Sequence, residues 1–415
     1  MVADPDIPPA VRLGAVLYTA ETGDRGLLAR FAGALRSRGW RVGGLVQEVL
    51  RDADGRRVGV DAVALDGDER IALARASPAD LEHGTCGLDV AALAASSAAL
   101  RRAVAGGADL ILVEKFGERE QRGDGLADDI LAAAAGGVPT LVAVPAGAIE
   151  HWRRFTGGMD RLLPWAEAAL WRWWGPGHAI EELVRNTDEA PAARVVVGLN
   201  WTLVEGPRGC GLAQSPGRDT PGCRPVPGAA GLAGRSLRDL AAMAHSWNPF
   251  EAAIGMAAVN AHFNRYDLRG AAVNGLDLFV GVEGPVTAVG RFPGLARRLP
   301  GVRVIERTPA EGEYPEAAAA ALLAASEAVV VTAAALVNRT FPALVEAAAG
   351  ARVALVGPGT PLAPALHAYG VEALAGLVVE DPEGAARAVA EGGAVKALRP
   401  FCRNVTLVAA DDSRG

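Results

Sequence analysis

Leu110-Ile-Leu-Val-Glu114 is the stretch that decides the fold. Its four consecutive apolar residues leave no polar face for solvent. It therefore reads as a strand buried on both sides, the pattern of a parallel sheet. Residues 139–144 (PTLVAV) read the same way, and residues 126–135 lie before them as a helix. Working outward, residues 12–18 (RLGAVLY) form another buried strand, followed by a Gly-containing turn. Residues 27–38 then read as a helix with Leu27, Leu28, Phe31 and Leu35 on one face. Residues 41–46 read as a short strand, 57–65 as a hairpin strand after the turn signal DADG at 52–55, and 90–105 as a helix. Strands alternating with helices predict a doubly wound α/β layer.

Downstream, Gly175-Pro-Gly177 punctuates the chain, and the main boundary is placed there. A strand at 193–202, a Gly/Pro-rich loop at 206–234 and helices at 236–244 and 249–264 make a small α+β module. After Gly270 the α/β rhythm returns, with strands expected at 276–280, 286–289, 302–306, 329–332, 353–356 and, last, 376–379. This part is Rossmann-like without the dinucleotide fingerprint. The expected domains are 1–175, 176–268 and 269–415, each near the common domain size of about 100–200 residues.

A net charge of −7 argues against a general nucleic-acid binder, because a phosphate backbone would be repelled. No apolar run is long enough to span a bilayer, and the N-terminus lacks a secretory signal pattern. The four cysteines form no C-x-x-C pair, so a cytoplasmic protein with reduced thiols is expected. Residues 151–174 hold five of the eight tryptophans. They serve either as packing at the end of the first domain or as a stacking platform for a ring ligand.

Strand, loop and helix at residues 13–35 occupy the place of a P-loop, which needs G-x-x-x-x-G-K-[ST]. The loop here reads Thr19-Ala-Glu-Thr-Gly-Asp-Arg-Gly26, with hydroxyls at Thr19 and Thr22 but no lysine. With Val42-Gly-Gly-Leu-Val-Gln-Glu48 and Val113-Glu-Lys-Phe-Gly117, the element order resembles the small nucleoside-triphosphatase family. That resemblance implies a P-loop-NTPase-like sheet in a degenerate form, since Val113-Glu114 stands where a magnesium-binding Asp-Glu would be. ATP hydrolysis is not expected. The Gly-Gly-Leu-Val-Gln47 segment, Cys86-Gly-Leu-Asp89, Lys115-Phe-Gly117 and the Trp-rich helix resemble a bacterial domain family associated with molybdenum-transport loci. Thr19, Thr22, Glu114 and Lys115 are the candidate ligand edge of this domain, because ligands bind open α/β sheets at their carboxyl ends.

The second half carries longer motifs. Gly198-Leu-Asn-Trp-Thr202, Gly209-Cys-Gly-Leu-Ala213 and the segment from Ser246-Trp-Asn-Pro-Phe-Glu251 to Asn260 resemble the small module of the heavy-metal-chelation family. Val289-Gly-Arg-Phe-Pro293, Leu336-Val-Asn-Arg-Thr340 and Gly357-Pro-Gly-Thr-Pro-Leu-Ala-Pro364 resemble its main domain. The family pattern T-G-T-T is here Thr332-Ala-Ala-Ala335, two hydroxyls fewer. Asn248 is placed to cap the helix beginning at Pro249, with Glu251 in its first turn. Backbone amides of Gly357, Pro358, Gly359, Thr360 and Pro361 suit an anion cradle, Pro358 and Pro361 excepted as donors, and the Thr360 hydroxyl adds to it. Glu306, Thr332, Asn338 and Thr340 are expected at neighbouring strand ends. Cys210, Cys223 and His245 form a candidate metal set, although their spacing matches no known ligand pattern.

The resemblance implies binding or handling of a heavy metal or a molybdate- or tungstate-like oxyanion. An enzyme acting on a small anionic or pterin-like ligand, with Glu306 or Glu251 as acid or base, is the alternative. A regulatory nucleotide binder is the third. The expected partner is a small anionic ligand or metal, and a homo-oligomer stays open.

Overall fold

The apolar runs pair side by side in the computed structural model, which describes residues 11–22, 25–67, 69–75, 87–88, 90–217 and 219–409. The chain divides into two compact units, Met1–Trp173 and Trp174–Gly415. Cys86 and Asp89 of the Cys86-Gly-Leu-Asp89 segment lie outside the described residues.

In the first unit the strands are β1 (Leu13–Tyr18), β2 (Val42–Arg51), β3 (Arg57–Ala64), β4 (Arg70–Arg75), β5 (Gly87–Leu88), β6 (Leu110–Glu114), β7 (Thr140–Pro145) and β8 (Asp160–Pro164). They lie in the order β5-β4-β3-β2-β6-β7-β1-β8. From β2 to β8 the pairing is parallel, and β3 to β5 add an antiparallel extension. Leu27, Leu28, Phe31 and Leu35 are the buried face of the helix Leu27–Arg36, as their spacing predicts. The Gly-Gly-Leu-Val-Gln47 segment is explained by packing. Gly44 has φ +106°, and a Cβ there would stand 1.9 Å from the Leu112 carbonyl oxygen on β6. The tryptophan-rich segment is also packing. Trp152 meets Phe116 edge-on at 5.0 Å and Trp171 meets Phe31 at 5.1 Å, so these rings are filled against neighbours.

The second unit begins with a three-stranded antiparallel sheet of β9 (Arg194–Val197), β10 (Trp201–Glu205) and β11 (Cys210–Gln214). The helix Pro249–Phe263 lies on it, and its residues 252–261 are all buried. A helix apolar all round must be covered on all sides. Gly211 lets it approach: a Cβ there would stand 2.0 Å from the Ala257 carbonyl oxygen. The remaining strands are β12 (Val286–Val289), β13 (Arg303–Glu306), β14 (Tyr314–Pro315), β15 (Ala328–Thr332), β16 (Arg352–Val356), β17 (Ala373–Val379) and β18 (Cys402–Val408). Their order is β14-β13-β12-β15-β16-β17-β18, parallel except for β18.

Two expectations are corrected here. Residues 276–280 were expected as a strand, but Gly275–Phe279 is a 3-10 turn. The cause is Asn274, whose Oδ1 accepts the Leu276 N–H at 3.0 Å and starts a helical turn. Residues 376–379 were expected as the last strand, but β18 follows and pairs antiparallel along the whole of β17.

Candidate functional site

The order of the seven-stranded sheet reverses between β12 and β15. From β12 the chain builds outward to β13 and β14, and from β15 it builds the other way. In open α/β sheets such a reversal is where connections diverge and a ligand crevice usually lies, at the carboxyl ends of the strands. Gly290 ends the β12 side with φ +97°, and a Cβ there would lie 3.0 Å from the Thr332 side chain that ends β15. Gly357, after β16, comes next: a Cβ on it would lie 3.4 Å from the Ala333 Cβ. The edge is thus bare backbone against the Thr332 side chain, whose methyl is nearer Gly290 and whose hydroxyl accepts a long 3.4 Å bond from the Ala334 N–H.

Glu306 ends β13 but spends its carboxylate on the local chain. It accepts the Arg291 and Arg307 N–H groups at 3.0 and 3.1 Å. The Arg291 side chain in turn grips Glu313 through two hydrogen bonds of 2.8 and 2.5 Å and holds its carboxyl down to about 2.

Asn248 and Glu251 stand at the start of the helix Pro249–Phe263, and the Asn338–Thr340 segment reaches it through Arg339. Asn248 Oδ1 accepts the Phe250 N–H at 3.2 Å, so the expected cap is formed. The same side chain clamps the Gly/Pro-rich loop, accepting from Arg224 N at 3.3 Å and donating to Arg224 O at 3.2 Å. The Ser246 hydroxyl donates to Glu251 and accepts the Asn248 N–H. Asn338 Oδ1 accepts from both the backbone and the hydroxyl of Thr340, at 3.1 and 2.7 Å. Between them stands Arg339, at φ +63°, a conformation few non-glycine residues adopt. Its Nη2 donates to the carbonyls of Ala244 (3.2 Å) and Ser246 (2.8 Å), and its guanidinium lies 4.2 Å from the centre of the Trp247 ring. Arg339 and Trp247 sit inside the segments quoted above, yet neither stands out as a candidate from local pattern. Their signal is the pair of charged and aromatic side chains within otherwise small or polar motifs.

The rest of the proline-glycine loop is interior. Gly359, Thr360 and Pro361 are buried, while Gly357 and Pro358 keep partial exposure. Asn260 and Asn264, one turn apart on the buried helix, hold this loop. Asn260 donates to Gly359 O at 2.9 Å, and Asn264 donates to Thr360 O at 3.0 Å while accepting from Leu362 N at 2.8 Å. Thr360 therefore does not line the crevice: its side chain is fully buried, and its Oγ1 has no hydrogen-bond partner among the described residues.

The candidate metal set is corrected. The structure does not bring Cys210, Cys223 and His245 together. Cys210 is buried in β11, where burial pushes its thiol well above the usual range. Cys223 donates to Gly217 O within its own loop. His245 Nε2 lies 2.9 Å from a Glu181 carboxylate oxygen, and this imidazole together with Arg185 holds the Glu181 carboxyl down to about 2. Among the described residues no group of three His, Cys, Asp or Glu side chains is placed to hold a metal ion. At the start of the helix Pro249–Phe263 the polar groups are side-chain amides, hydroxyls, the Arg339 guanidinium and the Glu251 carboxylate.

In the first unit, Thr19, Thr22 and Glu114 meet at the carboxyl edge of β1 and β6. The Thr19 N–H donates to Thr22 Oγ1 at 2.9 Å. Arg25 donates to Thr19 O at 3.2 Å and stacks over Tyr18 at 4.7 Å. Burial pushes the Glu114 carboxyl up to about 6, opposed by the Gln47 N–H that it accepts and by nearby Arg25 and Lys115. Lys115 is exposed beside it.

Residues 274–408 match the family described as "Putative heavy-metal chelation" (DUF364), and residues 180–263 match a second family of the same description (DUF4213). Residues 13–173 match "Protein of unknown function (DUF2478)". A DUF364-family protein of unknown function from Desulfitobacterium hafniense is 31% identical, with a TM-score of 0.50. The match covers 56% of this chain and 97% of that one. A second, from Pyrococcus horikoshii, is 22% identical with a TM-score of 0.50 over 56% of this chain and 99% of that one, and shows the fold alone. The protein "Molybdenum import ATP-binding protein ModC 2" of Bradyrhizobium diazoefficiens is 35% identical over 185 residues, 45% of this chain. The chain spans only 20% of the length of that curated relative. No helix among the described residues is long and apolar enough to cross a membrane. The C-terminal half thus belongs to the DUF364 family, while residues 180–263 match DUF4213 and residues 13–173 match DUF2478.

Proposed function

We propose that this protein binds a heavy metal in anionic form, as an oxyanion or a small anionic complex, at the crevice between β12 and β15. The observation that carries the reading is the strand-order reversal with Gly290, Thr332 and Gly357 at its mouth. Bare backbone beside a hydroxyl is the chemistry that holds a tetrahedral anion. The family descriptions and the molybdenum-import relative favour metal as the cargo. The test is elemental analysis of desalted protein after incubation with molybdate, tungstate, nickel or zinc. Near-stoichiometric molybdenum or tungsten is expected, with affinity falling about tenfold in Thr332→Val, the scale of one hydrogen bond to a charged group. Retention of nickel or zinc instead, or unchanged oxyanion affinity in Thr332→Val, would remove the reading.

A second reading, an enzyme acting on a small anionic ring ligand, is favoured by one arrangement. The Glu251 carboxylate, Ser246 hydroxyl and Arg339 guanidinium sit together at one helix start, a set able to orient a ligand and exchange a proton.

A further inference from the structure

Trp247 is 77% exposed, the most exposed of the large apolar side chains described. Trp40, Trp152, Trp171, Trp173 and Trp174 are all buried. A large indole left in water forgoes burial, and the residues on either side of it in the chain, Ser246 and Asn248, are polar. A protein interface needs a much larger apolar area than one ring supplies.

The ring is nevertheless held in place. Arg339 carries its guanidinium to 4.2 Å from the ring centre, and its Nη2 is anchored on the Ala244 and Ser246 carbonyls just before Trp247. The next residue in the chain, Asn248, is itself clamped to the Arg224 loop through its side chain. One face of the indole is thus covered by a cation and the rest is open to solvent. Arg339 Nε and Nη1 donate to no group among the described residues, and their three N–H groups remain for a bound anion.

We infer that Trp247 and Arg339 form a stacking platform for a planar nitrogen heterocycle carrying an anionic group, the ring lying on the open indole face and the anion reaching past the indole edge to the guanidinium. The inference goes beyond the oxyanion reading and assigns a separate ligand position at the start of the helix Pro249–Phe263. Electron-poor heterocycles stack well on indole, and a cation behind the ring fixes its orientation before the ligand arrives. Pterins and purine nucleotides share this chemistry.

The test is isothermal titration of the full chain with pterin-6-carboxylate and, separately, with guanosine monophosphate. Binding of at least one is expected; the preferred probe tells which kind of ring the platform takes. Trp247→Ala is expected to weaken that binding by about tenfold, the scale of one stacked base. Trp247→Phe, which keeps a ring, should restore most of it. Arg339→Gln should weaken binding of the anionic probe with circular dichroism unchanged. Failure of both probes to bind overturns the inference, as does Trp247→Ala binding as tightly as the parent. Molybdate retention is measured in parallel on the parent and on Trp247→Ala. Its loss in the parent defeats the oxyanion reading, while probe binding that depends on Trp247 leaves the platform standing.

Discussion

Replacing Thr360 by valine tests how the Gly357–Pro361 loop is used. The Thr360 side chain is fully buried, and its hydroxyl has no partner among the described residues. The carbonyls on either side of its peptide are already taken by Asn260 and Asn264. A buried hydroxyl left unpaired costs about 1–3 kcal/mol, and valine keeps the branched shape while removing it. Thr360→Val is therefore expected to stabilise the protein by roughly 1 kcal/mol. In urea this is a rise in midpoint of roughly 0.3–0.5 M with an unchanged slope, for a slope of about 2–3 kcal/mol/M. Oxyanion retention should stay at the parent level, because the side chain does not reach the crevice. A loss of about 1 kcal/mol, or a loss of retained oxyanion, would refute the reasoning. Either outcome would mean that the hydroxyl has a partner in solution, and the loop would return as a ligand cradle.

Asn264→Ala removes three hydrogen bonds, to Thr360 O, Leu377 O and from Leu362 N, and leaves those backbone groups buried. At about 1 kcal/mol each, destabilisation of about 3 kcal/mol is expected in chemical denaturation; a cost below about 1 kcal/mol would show that the helix does not hold the loop. In the first unit, Glu114 titrates at about 6 when folded, against an ordinary 4.5. The folded state then binds the extra proton between those values, so this contribution is fully present below about 4.5 and is lost as pH rises through about 6. The loss is on the order of 2 kcal/mol, and Glu114→Gln should flatten the decline when stability is followed from pH 4.5 to pH 7. An identical slope in the variant would place the cause elsewhere.

The buried parallel strands were legible because an apolar run has one reading when both faces are covered: β6, β7, β15 and β16 lie where their composition puts them. The edges were less legible. β18 alternates as Cys-Arg-Asn-Val-Thr-Leu-Val, and only its pairing with β17 makes it a strand. Residues 276–280 are apolar enough for a strand, but the cap made by Asn274 wins locally. The site divides the same way. Asn248 was readable as a cap because capping is local in sequence. Thr360 was read as a ligand hydroxyl because the residues that close its loop, Asn260 and Asn264, lie 99 and 96 positions away. Two amides one turn apart on an otherwise apolar helix were the available signal, since such groups are buried only against a polar partner.

This separates two kinds of residue within the family motifs. Gly211, Asn248, Asn260 and Asn264 hold the helix Pro249–Phe263 against β11 and against the loop after β16, and their contacts are satisfied within the chain. Arg339 and Trp247 are different. A left-handed backbone and an exposed indole are both costs to folding. Arg339 joins Ser246 across 93 positions of sequence, so the arrangement depends on the two parts of this unit being folded together. Residues that stabilise explain why the motifs keep their spacing. Residues that cost stability and still hold a fixed geometry are where ligand binding is to be sought, and in the second unit they stand at the start of that helix.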